Sequence, residues 1–212
     1  MGASEAASRL NARLAEAGLA ALDDETASRF EMYLSLFIRW NERLNLSAIR
    51  DEESIISRHL IESIEVAYAL PQGIATLIDF GSGAGLPGIP IALCRPEIAV
   101  TLAESQGKKA AFLQEAVREL GIGAKVYAHR AETLQETFDC VILRAVDKME
   151  KAVAAATRLV APEGWLALMT TTSDLEELEH AAGAEFFWPM REQLPGGARR
   201  IVAFGSRRSV QR

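Results

Sequence analysis

The sequence predicts an α/β fold: a mostly parallel seven-stranded sheet with an antiparallel hairpin at one edge, preceded by a helical N-terminal extension. Three observations predict it. From about residue 75 onward, short apolar runs alternate with helical stretches, an order that implies parallel strands joined by crossovers and covered on both faces. Residues 1 to about 70 carry helical periodicity only. The last two apolar runs leave no room for a helix between them and must return directly. With 212 residues, the chain suffices for one sizeable core and a modest extension, and is too short for two full enzymes. The expected division is 1–70 for the extension, packed on the core, and 71–212 for the α/β domain.

In the extension, Asp23 or Asp24 is placed to cap a helix running towards Asn45, with Phe30, Leu34, Phe37, Asn41 and Leu44 on one face. A second helix, over about 54–69, aligns Ile56, Leu60, Ile64 and Ala67 and ends before Pro71. In the α/β part, strands are expected at 76–80, 99–104, 125–129, 138–144, 165–170, 185–188 and 201–204. The helices between them are expected at 86–94, 106–120, 148–160 and 174–182. Ser173 with Glu176 reads as a capping box for the last helix, and Gly183 as its end. Pro195-Gly196-Gly197 supplies the turn of the closing hairpin.

Composition narrows the class. Apolar residues at 49% and charged residues at 25% are those of an ordinary folded domain and exclude a disordered chain. No uncharged apolar run reaches the roughly 18 residues that a membrane helix requires. Glu5 and Arg9 stand where a secretory signal would be apolar, and Ala6 stands where an N-myristoylation signal after Met1-Gly2 needs Ser or Thr. No membrane attachment and a cytoplasmic location are therefore expected. Cys94 and Cys140 are far apart among apolar neighbours, and read as small core side chains rather than redox groups or metal ligands. The net charge of −6 sits poorly with a nucleic-acid partner. Basic residues nevertheless gather at Arg39, Arg43, Arg50 and Arg58, at Lys108 and Lys109, and at Arg199, Arg200, Arg207, Arg208 and Arg212, so a local basic surface stays open.

The chemistry concentrates in Asp79-Phe80-Gly81-Ser82-Gly83-Ala84-Gly85-Leu86-Pro87-Gly88, which follows the first strand and opens a helix. Gly83 to Gly88 spells the dinucleotide pattern Gly-x-Gly-x-x-Gly. Asp79, two residues before the first glycine, argues otherwise. S-adenosyl-L-methionine carries an ammonium and a sulfonium but no phosphate, so a carboxylate suits it and would repel a pyrophosphate. The reading is a Rossmann-like class I methyltransferase fold that uses this methyl donor; a tight turn without a ligand is the plain alternative. Glu104, at the end of the second strand, is placed to accept the ribose hydroxyls, or is a surface carboxylate. Ala131-Glu132 follows the third strand, where an adenine edge would lie. Arg144 closes the apolar run Val141-Ile142-Leu143 at the mouth of the site, or forms a structural ion pair with Glu132 or Asp147.

The segment Asp79-x-Gly81-Ser82-Gly83-x-Gly85-Leu86-Pro87-Gly88-Ile89-Pro90 resembles the bacterial glucose-inhibited division protein B family, the RsmG enzymes. Trp40-Asn41-Glu42-Arg43-Leu44-Asn45-Leu46-Ser47, Arg58-His59-Leu60-Ile61-Glu62-Ser63, Glu104-Ser105-x-x-Lys108-Lys109-x-x-Phe112-Leu113 and Arg144-Ala145 are similar to further family segments. The resemblance covers roughly residues 25 to 205. It implies methyl transfer to N7 of a guanine in 16S ribosomal RNA, as naked RNA or in the small ribosomal subunit. It also implies cofactor contacts from Asp79, Gly81, Gly83, Leu86, Glu104, Ser105, Ala131, Glu132 and Arg144. Asn45, Arg58, His59 and Arg144 would stand on the guanine side; without the resemblance, Asn41 and Asn45 serve equally to end a helix, and His59 to cover its surface. His129 and His180 read as incidental. N7 already presents a free lone pair, so no general base, catalytic side chain or metal is expected, and the enzyme works by positioning. Arg58, His59 or Arg144 are the candidate hydrogen-bond donors to the guanine O6 edge. Two departures stand out: Glu62 where the family usually has Asp, and Met169-Thr170 where it usually has Lys-Gly. Methyl transfer to a small molecule, favoured by the acidic charge, and a non-catalytic cofactor-binding module, favoured by Met169, are the competing readings.

Overall fold

A computed structural model describes residues 5–195 and 199–208. Gly196 and Gly197 of the expected turn, Met1 and Gly2, and Arg212 lie outside the described residues. Helices α1 (Glu5–Glu16) and α2 (Asp24–Leu44) come first. α3 (Glu52–Ile55) then runs through a π-helical turn (Ile56–Leu60) into α4 (Ile61–Ala69). The α/β part continues as β1 (Thr76–Phe80), α5 (Gly88–Cys94), β2 (Ala99–Ala103), α6 (Gly107–Leu120), β3 (Lys125–Tyr127) and β4 (Phe138–Arg144). It closes with α7 (Met149–Ala156), β5 (Val160–Thr171), α8 (Leu175–Ala182), β6 (Phe186–Gln193) and β7 (Arg200–Arg207).

The seven strands form one sheet in the order β3-β2-β1-β4-β5-β7-β6. The pairs among β1 to β5 are parallel, and β7 runs antiparallel to β5 and to β6. The expected edge hairpin is present, with its second strand inserted beside β5. Alternation along the strands sorts the core into two layers. Leu77, Cys140 and Ile142 face a cluster with Phe30, Phe37, Ile64, Ile89 and Phe112. Ile78, Val141 and Leu143 face the other, with Val153, Leu166 and Leu178. The extension thus covers one sheet face together with α5 and α6, while α7 and α8 cover the opposite one. Cys140 is buried and Cys94 partly so, both as free thiols.

Local signals held in part. Asp23 caps α2, its carboxylate accepting from the Thr26 amide at 2.8 Å. Gly183 ends α8 with a positive φ of 91°. The capping box does not form: Asp174 occupies the N-cap position and the Ser173 hydroxyl donates to its carboxylate, so Ser173 stands one residue too early. The helix expected from residue 86 begins at Gly88, because the preceding residues complete the glycine turn. The helix expected over 148–160 stops after Thr157–Leu159, a 3-10 turn, and Val160 already belongs to β5. Met169 lies in β5 beside Val202, buried in the first cluster.

Candidate functional site

At the carboxyl ends of β1, β2 and β4 the chain encloses a cleft of about 900 Å³. Its floor is the glycine turn. Gly81 and Ser82 donate their amides to the Ala103 carbonyl at 3.0 and 2.9 Å, which folds the turn back over β2. Gly81, Gly83 and Gly85 hold φ of 76°, 56° and 83°, backbone values that side chains with a Cβ rarely adopt. The extension is fastened to the turn from behind: the buried Tyr33 hydroxyl donates to the Ala84 carbonyl at 2.6 Å.

Two acids brace this floor in different ways. Glu104 lines the cleft, and its two carboxylate oxygens accept the amides of Gly83 (3.0 Å) and Gln106 (2.7 Å). Each oxygen keeps a second lone-pair direction for a ligand hydroxyl. Asp79 lies a layer deeper. It is 1% exposed and does not line the cleft; its carboxylate accepts the Gly88 amide at 3.0 Å and so pins the first turn of α5. Burial pushes the Asp79 pKa up to about 7, against the Gly88 hydrogen bond, which favours the ionised form. Between the ordinary value of 3.8 and about 7 the folded chain binds this proton and the unfolded chain does not, so the group's contribution falls as pH rises across that window. Asp79→Asn is therefore expected to gain stability relative to the wild type between pH 5 and pH 8 in paired urea titrations. An unchanged difference between the two proteins would contradict the buried carboxyl.

The rest of the wall comes from four segments. Ser105 lines the cleft beside Glu104, and Ala131-Glu132 enters from a 3-10 turn after β3. Arg144 ends β4 and is followed by Ala145, at a φ of 49° that a non-glycine seldom holds. The extension contributes Leu46, Ser47 and His59. The structure thus brings Gly81, Gly83, Leu86, Glu104, Ser105, Ala131, Glu132, Arg144 and His59 to one cleft. Asn45 and Arg58 are exposed and outside it. Asn45 ends α2 in the left-handed conformation, and its side chain accepts from Arg50. His129, read as incidental from the sequence, and Ser47, quoted only as the end of a family segment, are part of the wall.

A family model described as rRNA small subunit methyltransferase G matches residues 26–193. The chain belongs to that family. A ribosomal RNA small subunit methyltransferase G from Xanthomonas euvesicatoria is 40% identical over 198 residues, which cover 88% of this chain and 91% of the relative. One from Stenotrophomonas maltophilia is 42% identical over 186 residues, 85% of each chain. Among solved structures, the ribosomal protein L11 methylase of Lactobacillus delbrueckii superposes with a TM-score of 0.55 at 15% identity, over 74% of this chain and 80% of that one. A protein of Agrobacterium tumefaciens described as a predicted O-methyltransferase gives 0.56 at 20% identity, over 71% and 83%. At these identities the likeness shows the Rossmann-like methyltransferase fold.

In this member of the methyltransferase G family, an ion cluster joins the extension to the strand ends. Glu62 of α4 is fully buried. Its carboxylate accepts from Arg144 at 3.0 Å and from Arg200 of β7 at 2.8 Å. Arg144 also donates to the Ser63 hydroxyl (3.2 Å) and the Arg58 carbonyl (3.0 Å). The ion-pair partner of Arg144 is thus Glu62, and not Glu132 or Asp147: Glu132 turns to Arg130 at 3.5 Å. Burial pushes the Glu62 pKa up, opposed by Arg144 and Arg200. For His59, burial together with those two arginines holds the imidazole down at about 4, so it is neutral at pH 7.

Proposed function

We propose that this protein transfers a methyl group from S-adenosyl-L-methionine to N7 of a guanine in the 16S RNA of the small ribosomal subunit, in the cytoplasm. The single observation that carries the reading is the cleft itself. A glycine cradle, a ribose-competent acid at Glu104 and the Ala131-Glu132 wall meet residues of the helical extension across one opening. A Cβ at Gly81 would come within 3.2 Å of Val146 in the cleft wall, whereas one at Gly83 meets nothing nearer than the Gly81 carbonyl at 3.9 Å, so the turn leaves open room beside Gly83. When bound there, the cofactor supplies a methyl group on a sulfonium as the electrophile.

The chain's own residues then do positioning work. Gly81, Gly83, Leu86, Glu104, Ser105, Ala131 and Glu132 are the proposed cofactor contacts. Asp79 acts through the turn it pins, from a layer below the cleft. Residues 71–212 form the cofactor-binding domain in this reading. Residues 1–70 form the extension that supplies the base-facing wall, through Ser47 and His59, with Arg144 between the two. Guanine N7 carries a free lone pair, so no residue has to remove a proton from it, and the rate depends on holding the two reactants in line. Rim cations (Lys109, Lys148 and Lys151 line the opening) give an acidic protein a local surface for the RNA backbone.

The test is methyl transfer from labelled S-adenosyl-L-methionine to small subunits, and separately to naked 16S RNA, from cells lacking the enzyme. Label on a guanine N7 is the expected result. No label on either substrate, with cofactor binding intact, would sink the RNA assignment.

A further inference from the structure

The hydrogen bonds around Ser47 leave its proton one place to go. A guanidinium only donates, and His59 Nδ1, at 2.9 Å, is the nearest of the three acceptors that share the two hydrogens of Arg144 Nη2, so Nδ1 is assigned as the unprotonated, accepting nitrogen. The neutral ring then carries its hydrogen on Nε2, which lies 2.9 Å from Ser47 Oγ. Ser47 Oγ accepts that hydrogen, and it also accepts the Ile49 amide at 3.1 Å. A hydroxyl oxygen has two lone pairs and both are now taken. Its own hydrogen must be donated elsewhere, and Ser47 lines the cleft. The loop that carries it is held independently: the buried Asn41 amide donates to the Ile49 carbonyl at 2.9 Å and accepts the Ser47 amide at 2.8 Å.

The candidates named from the sequence are less available for this role. Arg58 does not line the cleft and both nitrogens of His59 are engaged; Arg144 turns Nη2 to Glu62, His59 and the Arg58 carbonyl and one Nη1 hydrogen to Ser63, which leaves a single Nη1 hydrogen toward the cleft. We propose that Ser47 is a specificity-determining residue whose hydroxyl is committed as a donor to an acceptor atom of the target base, the guanine O6 beside N7. This inference rests on the reading of the cleft as a guanine-N7 methylation site. Guanine presents two acceptors, N7 and O6, on that edge, whereas adenine replaces O6 with an amino donor. A hydroxyl locked as a donor accepts guanine and meets adenine donor to donor. The contact selects and orients the ring. It does not stabilise the positive charge that the ring gains, since a donor at O6 withdraws electron density, so its effect is expected in selection of the base. Arg144 and Glu62 are positioning residues in this arrangement, because they set the tautomer that commits Ser47.

The experiment compares wild type, Ser47→Ala and Ser47→Thr on small subunits from cells lacking the enzyme, with cofactor affinity and thermal midpoint measured in parallel. Ser47→Ala is expected to lose about 10- to 100-fold in kcat/KM, the scale of one hydrogen bond to a substrate polar group, with cofactor affinity within about twofold of wild type. Ser47→Thr, which keeps the hydroxyl, is expected to recover most of that loss. A Ser47→Ala protein as active as wild type, or a threonine variant as impaired as the alanine one, would overturn the inference. Should Ser47→Ala fail to fold or to bind cofactor, the substrate is changed instead. A transcript with 2-aminopurine at the methylated position lacks O6, and the wild-type enzyme should lose a similar factor on it; no loss overturns the inference. A wild-type chain silent on every guanine substrate overturns the methylation reading as a whole, an outcome distinct from activity that merely ignores Ser47.

Discussion

Glu62→Ala is expected to cost about 3–5 kcal/mol of folding stability, as removal of one partner from a buried ion cluster typically does. Glu62 is fully buried, the Arg144 side chain is 8% exposed, and the carboxylate is the acid that both Arg144 and Arg200 contact. Without it, the buried Arg144 guanidinium is left uncompensated beside a second cation, Arg200, whose own side chain is 31% exposed. The loss should also reach the cleft, because Arg144 would no longer be held where it fixes the His59 tautomer. Urea titration at pH 7 gives the stability, and methyl transfer gives the second effect. Glu62→Asp keeps the charge and should show a clearly smaller loss. A Glu62→Ala protein within about 1 kcal/mol of wild type would refute the premise that Arg144 is left as an uncompensated buried charge.

Gly88→Ala should be strongly damaging to the cofactor domain. A Cβ there would stand 2.3 Å from the Leu102 Cδ2, 2.7 Å from the Asp79 Oδ2 and 3.0 Å from the Asp79 Cβ. Asp79 belongs to β1, which is hydrogen-bonded to β2 and β4 on its two sides and has nowhere to retreat. The methyl would push α5 off the strand and break the Gly88 amide bond that sets the turn. Overpacking of this kind typically costs about 1–3 kcal/mol, and here it also displaces the cradle, so cofactor affinity should fall by more than about tenfold. Gly107→Ala is the matched control. A Cβ at Gly107 meets nothing within 4 Å, and alanine is the better helix former at the start of α6, so that variant should be neutral or slightly stabilised. Calorimetric titration with S-adenosyl-L-methionine, together with urea midpoints for both variants, checks the pair; equal behaviour of the two would refute the steric argument.

Much of the site could be read before the fold was known, because its chemistry is local. The glycine turn, Glu104 and Ala131-Glu132 each follow a strand whose apolar run is visible in the sequence, and parallel strands bring their carboxyl ends to one side of a sheet. The order of the last strands was not legible. A direct return between β6 and β7 is compatible with either strand lying beside β5, and β7, with its apolar Ile201–Phe204 stretch, takes the interior place. Asp79 was assigned the right loop and too shallow a position: its spacing from Gly81 says nothing of the Gly88 amide that turns its carboxylate inward. Asn45 proved to end a helix, as its residue type equally allowed. Ser47 carried no signal of its own, since a serine after a helix is common in loops; only the His59 and Ile49 contacts give it a direction.

Features that depend on neighbours along the chain are readable from residue order alone. Periodicity decided strand against helix, Asp23 decided the start of α2, and the glycines decided where a ligand can approach the backbone. The tertiary structure alone decided which charges meet. Glu62 lies 82 residues before Arg144 and 138 before Arg200, and no local rule connects them. Their pairing is set by α4 packing across the ends of β4 and β7, where burial of Glu62 and Arg144 removes the water that would otherwise satisfy each of those two charges separately.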